Sequence, residues 1–161
     1  MKTALLIIDM VNGMENWIPE KRMKKIIPSL KRLIERAREK NAIIIYAVHV
    51  PLGERKTKIY EEILPQKGDL RVEKIDFSSF YKTNLDKILK RRKIKKLIIT
   101  GTSTHWCVQT TATDSHYRKY KTVIVSDCMT APTNKDHKRA LEWMENTLDV
   151  SIKPSNKVSF R

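Results

Sequence analysis

Cys107 stands in Gly101-Thr-Ser-Thr-His-Trp-Cys-Val-Gln-Thr-Thr-Ala, where the apolar run Leu97, Ile98, Ile99 meets a glycine and then a helix-compatible stretch. The thiol therefore falls where a strand hands over to a helix. A cysteine in a first helical turn faces unpaired backbone N–H groups and the positive end of the dipole, and both favour the thiolate that attacks carbonyl carbon. On position alone a small buried thiol packed under a helix is the commoner role. Two other residues shift the balance. Asp9 is a lone carboxylate ending the apolar run Ala4-Leu-Leu-Ile-Ile, and a buried acid needs a partner; capping the following loop is its plainer role. Lys74, in Val72-Glu-Lys-Ile-Asp-Phe-Ser-Ser-Phe, has apolar neighbours where most lysines of this chain are simply solvated. Three distant segments each offer one reactive group, so only the fold can bring them together.

The elements that would do so are legible as short, mostly β-branched runs: Ala4 to Ile8, Ala42 to Val48, Leu97 to Thr100, Val123 to Val125 and Val150 to Ile152. The longer ones lack polar alternation, as strands buried on both faces do. Between them lie helical stripes. Met23, Ile26, Ile27, Leu30, Leu33, Ile34 and Ala37 form the first, with Pro28 tolerable only near its start. Leu85, Ile88 and Leu89 form a second, capped by Thr83 or Asn84; a third runs from about Trp106 to Tyr117 and a fourth from about Asn134 to Asn146. Strand and helix alternate, which predicts an α/β fold with a mostly parallel central sheet covered on both faces. In such a sheet the carboxyl ends of the strands build the site, and Asp9 and Cys107 each follow a strand. Lys74, on a short strand of its own, would complete the convergence. Pro51 to Asp69 is the one long connection, read as a lid, a binding loop or a partner contact. Pro154 to Arg161 is expected to fray or to dock on a neighbouring subunit.

At 161 residues the chain is expected to form one domain spanning 1–161, burying roughly 70% of its unfolded surface. It shows no cleavable apolar leader and no apolar run near the roughly 18 residues of a membrane span, so a soluble, cytoplasmic protein is expected. Cys107 and Cys128 make neither a disulfide framework nor a metal-ligand spacing, and Cys128 reads as a structural thiol. The net charge of +15, from 33 Lys and Arg against 18 Asp and Glu, raises anionic substrates and nucleic acid as partners. The basic residues are spread over helix faces with few interleaved aromatics, however, and no nucleic-acid-binding motif is present, so no specific nucleic acid is expected. A heat-adapted, ion-rich surface explains the charge better, in keeping with only two glutamines.

In this order the motifs resemble the isochorismatase-like cysteine hydrolases, the superfamily of nicotinamidases and N-carbamoylsarcosine amidases. They are Leu-Ile-Ile-Asp9-Met; Glu-Lys74 followed by Phe77-Ser-Ser-Phe-Tyr-Lys-Thr-Asn-Leu; the Cys107 segment through Asp114; and Val-Ile-Val-Ser-Asp127-Cys-Met-Thr-Ala. The likeness spans nearly the whole chain. It implies a three-layer, Rossmann-like α/β fold and a hydrolase that cleaves a C–N bond of a small amide or N-carbamoyl substrate through a thioester. Asp9 would be the general base, Lys74 would hold the aspartate and the developing charge, and Cys107 would attack. The resemblance also implies a cis peptide at Thr102–Ser103 and an oxyanion site at the N–H groups of Ser103 and Cys107. A small-molecule substrate, no cofactor and a homo-oligomer, dimer or tetramer, are its further expectations.

The departures carry information too. Metal-dependent nicotinamidases place an Asp-x-His pair after the second strand; here the stretch reads Tyr46-Ala-Val-His-Val-Pro, and His49 alone makes no metal site. The usual Asp-Met-Gln-Asn-Asp-Phe opening is Asp9-Met-Val-Asn-Gly-Met, which weakens any substrate assignment by analogy. The cysteine itself counts against vinyl-ether-cleaving isochorismatases, which lack it. The competing class is a catalytically silent binding protein of the same fold, holding an acidic partner on its basic surface.

Around the three reactive groups, His105 stands equally as a substrate contact or a loop hydrogen bond. Trp106, Phe77, Phe80 and Trp17 are pocket or interface candidates, with core burial expected for at least two. Asp114 and Asp127 are read as organising their own elements, Ser78 and Ser79 as terminating a strand, and His116 and His137 as helix-surface residues.

Overall fold

The computed structural model describes residues 1–161, the side chain of Glu54 excepted. Six strands, β1 (Thr3–Ile8), β2 (Ile43–His49), β3 (Leu70–Lys74), β4 (Lys96–Thr102), β5 (Lys121–Thr130) and β6 (Val150–Lys153), form one sheet in the order β3-β2-β1-β4-β5-β6. All five pairings are parallel. Four helices, α1 (Glu20–Glu39), α2 (Leu85–Arg91), α3 (Gln109–Tyr117) and α4 (Asn134–Thr147), cover its faces. Among the described residues no helix is long and apolar enough to cross a membrane.

Every residue of β1 is buried, because successive side chains point to opposite faces and both faces are covered. Leu5 and Ile7 pack on one side with Tyr46, Val125 and the α1 stripe from Met23 to Ala37. Ala4, Leu6 and Ile8 pack on the other with Leu85 and Leu89 of α2, Ala112 of α3 and Met144 of α4. The absence of polar alternation that marked these runs in the sequence is thus the mark of a three-layer sandwich.

From β1 the chain winds outward through β2 and β3, then returns to the opposite side of β1 for β4. That reversal opens a crevice at the carboxyl ends of β1 and β4, the place where open parallel sheets bind ligands. Gly101 makes the strands meet closely there. Its φ is +109°, and a Cβ on it would lie 2.0 Å from the Ile8 carbonyl oxygen, so no other residue fits. The β4–β5 register also shifts between Ile99 and Gly101.

Four expectations change. Pro28 lies well inside the 20-residue α1 rather than near its start; the helix is held by seven buried side chains, which outweigh one missing N–H. The segment 154–161 neither frays nor projects: Val158 and Phe160 are buried in the α1-side core, and Arg36 donates to the carbonyls of Ser155 and Val158 at 2.9 and 2.5 Å. The third helical stretch begins as a π-helical turn over Thr104–Val108, ahead of α3. Finally, only Phe80 of the four aromatic candidates is in the core; Trp17 and Phe77 are about half exposed. The α2 cap is Asn84, and the Thr83 hydroxyl accepts the Leu85 N–H at 3.2 Å.

Candidate active site

Asp9 is the first residue beyond β1. Its φ of +48° turns the chain out of the strand, and the turn is pinned by three bonds. The Asp9 N–H donates to the Ala47 carbonyl at 2.9 Å, the Thr102 hydroxyl donates to the Asp9 carbonyl at 2.9 Å, and the His49 N–H donates to Oδ1 at 2.9 Å. Asp9 is therefore held through its backbone by β2 and β4, the two neighbours of its own strand, and through its carboxylate by β2, and is 1% exposed.

Lys74 ends β3 and is completely buried. Its register partner is His49 at the end of β2, which carries the ammonium to the same crevice. Nζ lies 2.9 Å from Asp9 Oδ2 and donates to the Asp76 carbonyl at 2.9 Å and to Cys107 Sγ at 3.3 Å. These three contacts match the three N–H groups of an ammonium. The contact with Oδ2 is an ion pair lacking hydrogen-bond geometry, so this oxygen has no hydrogen-bond donor and keeps lone pairs for an incoming proton.

Cys107 rides the π-helical turn that follows β4. The Ser103 carbonyl accepts the N–H groups of Trp106 at 3.1 Å and of Val108 at 3.2 Å, the residues on either side of the cysteine. Wider turns of this kind recur at functional sites because they redirect one side chain without ending the helix. The Thr102–Ser103 peptide is cis, and both residues are fully buried. From α4, His137 Nδ1 lies 2.7 Å from the Thr104 hydroxyl and so braces the start of the turn. His137 is thus more than a surface residue of its helix. His116 is likewise engaged, its Nδ1 accepting the Asp149 N–H at 3.1 Å.

The expected easy ionisation of the thiol is reversed. Burial first, and then the charge of Asp9, push Cys107 up from 9.0 to about 12, against the pull of Lys74. A carboxylate facing a thiol that is 6% exposed outweighs the partial charge of a helix terminus, which in any case here belongs to a π turn. The resting sulfur is a protonated thiol beside the Asp9 carboxylate.

A cavity of about 300 Å³ opens onto Asp9 and Cys107. Met14, Trp17, Leu52, Phe77 and Trp106 form apolar walls, and His49 is the remaining lining residue. Phe77 and Trp106 thus line the cavity that Asp9 and Cys107 face. His105 is outside the wall; it stacks on Trp106 at 4.3 Å, and its Nδ1 lies 2.9 Å from the Ser103 hydroxyl. Met14 and Leu52 carried no signal in the sequence, since an apolar residue in a loop looks the same whether it faces core or cavity. Leu52 comes from the long connection, which is tied back over the site by the Val11–Ile59 bridge and by Asn12 Nδ2 donating to the Arg55 carbonyl at 3.0 Å.

The flanking polar residues settle into structural contacts. Ser78 donates to Asp114, which also pairs with Arg118; the Ser79 N–H donates to the Thr111 hydroxyl at 2.9 Å; and Asp127 accepts both the N–H and the hydroxyl of Ser155. Cys128 is fully buried in the α1-side core.

A parallel three-layer sheet with this crevice is the architecture of the isochorismatase-type α/β hydrolases. The isochorismatase domain model matches residues 3–152, and the chain belongs to that family. It is 34% identical over 166 residues, 92% of each chain, to the isochorismatase family protein YaaI of Bacillus subtilis. An isochorismatase-like hydrolase of Alkaliphilus metalliredigens superposes with a TM-score of 0.88 at 28% identity, covering 98% of this chain and 96% of that one. N-carbamoylsarcosine amidase of Thermoplasma acidophilum superposes with a TM-score of 0.87 at 26% identity, covering 99% of both.

Proposed function

We propose that the chain is a metal-independent cysteine amidohydrolase that cleaves a C–N bond of a small amide or N-carbamoyl compound. The observation that carries this reading is the single ammonium of Lys74 placed 2.9 Å from Asp9 and 3.3 Å from Cys107, with all three side chains buried beside one cavity. In the reaction the Cys107 proton passes to Asp9 as sulfur bonds to the carbonyl carbon. The raised thiol makes this a coupled step, so negative charge is never stranded on a buried sulfur. The oxyanion forms against the N–H groups of Ser103 and Cys107. Collapse breaks the C–N bond, and nitrogen leaves as ammonia or amine with the proton held by Asp9. Water then gives a proton to Asp9 and attacks the thioester; the C–S bond breaks, and sulfur recovers its proton as the acid leaves.

The Lys74 ammonium steadies the negative charge that passes between oxygen and sulfur. The position where metal-dependent relatives carry a carboxylate two residues before the histidine is Ala47, a buried methyl group, which leaves His49 without a second ligand on its strand.

The test is ammonia release across a panel of carboxamides, ureido compounds and N-carbamoyl amino acids, with acid-quenched mass spectrometry of the Cys107 peptide. Turnover with an acyl or carbamoyl adduct on Cys107, both lost in Cys107→Ala, is the expected result. Release that persists undiminished in Cys107→Ala, or none from any panel member, overturns the reading.

A further inference from the structure

The cavity beside Cys107 makes a choice of substrate charge that the overall charge of the protein does not suggest. Among the described residues, Asp9 is the one Asp, Glu, Lys or Arg in its lining. Met14, Trp17, Leu52, Phe77 and Trp106 supply the walls, and none of the 33 Lys and Arg residues lines it. Lys74 lies behind Asp9, its Nζ 2.9 Å from Asp9 Oδ2 and donating to the Asp76 carbonyl and Cys107 Sγ. It is completely buried and so presents no surface to a substrate carboxylate.

An anionic substrate would be drawn toward a molecule of charge +15 and then find no cation at the point of binding. It would shed its hydration against indole, phenyl and thioether surface while facing a fixed carboxylate. A neutral substrate pays no such penalty, and its apolar part gains from covering exposed Trp17 and Phe77, which are 50% and 49% accessible. A volume of about 300 Å³ bounds the substrate to a compact molecule at the low end of ligand pockets.

Building on the amidohydrolase reading, we infer that this site takes small uncharged amides with an apolar body and rejects those carrying a carboxylate. The N-carbamoyl amino acids of the wider substrate class are therefore excluded as free acids and admitted once the carboxylate is neutralised.

Matched pairs test this. N-carbamoylglycine is compared with its methyl ester, and adipic monoamide with its methyl ester, in two measurements on the whole protein: ammonia release, and protection of Cys107 from iodoacetamide. The esters are expected to exceed the acids by about a hundredfold in kcat/KM and in protecting concentration. Leu52→Arg, which places a cation in the wall, is expected to narrow or invert that ratio by at least about tenfold. Equal treatment of acid and ester, preference for the acid, or protection by neither member of either pair overturns the inference. Esters that protect without releasing ammonia leave the charge selection standing and overturn hydrolysis instead. Acids hydrolysed faster than esters do the reverse.

Discussion

Lys74 Nζ lies 2.9 Å from Asp9 Oδ2, and neither side chain is more than 1% exposed. Deleting one partner strands the other's charge in the interior, which costs far more than the pair contributes when whole. Lys74→Met is expected to destabilise the fold by about 3–5 kcal/mol in denaturant unfolding, and Asp9→Asn by less, since the amide oxygen still accepts a hydrogen bond from the stranded ammonium. The double variant should lose clearly less than the sum of the two. Additive losses would mean that the pair is not energetically coupled.

Cys107 gives a pH signature with a definite sign. Because the folded thiol is raised from 9.0 to about 12, it is protonated across the neutral range, and iodoacetamide labelling should climb by about tenfold per pH unit between roughly pH 8 and 11. Asp9→Asn removes two of the influences that raise the thiol and leaves the lowering by Lys74. Labelling should therefore become faster at a given pH while ammonia release falls by about two to four orders of magnitude. The stability linked to this raised group is fully present below pH 9 and is lost as pH climbs from about 9 toward 12. Slower labelling in Asp9→Asn would contradict the arrangement.

His137 supports the nucleophile turn through Thr104, 2.7 Å away. Burial, then the nearby Arg22, hold it below its ordinary value of 6.5, so protonation opposes the folded state. Its contribution is present above pH 6.5 and is lost as pH falls. His137→Phe should cost about 1 kcal/mol at neutral pH and flatten the acid limb of the stability profile. His105, lowered by burial as well, keeps some of that slope. An unchanged acid limb would show that His137 does not carry it.

Gly101 and Gly68 both have φ near +100°, yet their surroundings differ. Gly101→Ala drives a methyl group into the Ile8 backbone, whereas nothing lies within 4 Å of the corresponding atom at Gly68. Gly68→Ala should cost about 1–2 kcal/mol from backbone strain alone, and Gly101→Ala should abolish folding or cost several times more in thermal unfolding.

Phe160 is 8% exposed in the α1-side core. Phe160→Ala should cost about 3 kcal/mol in denaturant unfolding, as a core deletion does. A loss below about 0.5 kcal/mol would mean that the segment lies loosely on the surface.

Much of the architecture was legible because the signals were local. Runs such as Leu5-Leu-Ile-Ile and Leu97-Ile-Ile announce doubly covered strands, and alternation with helical stripes leaves few topologies. Asp9 ends such a run, Cys107 follows one at a strand-to-helix handover and Lys74 has apolar neighbours; those local signals, with the resemblance of their motifs to a known family, singled the three out. What remained hidden depends on who meets whom in space. The thiol at Cys107 is set by a carboxylate almost a hundred residues away in the chain, so helix position alone misjudged it. Phe80 and Phe77 read alike in sequence, but one fills the core and the other a cavity wall. Val158 and Phe160 looked like a loose end because the surface they cover is made by α1, far upstream. His137 looked solvated because Thr104 is invisible from α4.

The reactive groups come from β1, β3 and the turn after β4, and β3 touches β1 only through β2. No half of the chain owns a working centre, and the last strand to zip determines when one exists. Under the proposed hydrolysis, turnover is an indicator of completed assembly: in refolding, helix signal should return ahead of catalysis, and a nicked or circularly rearranged chain should regain activity only as the full sheet closes.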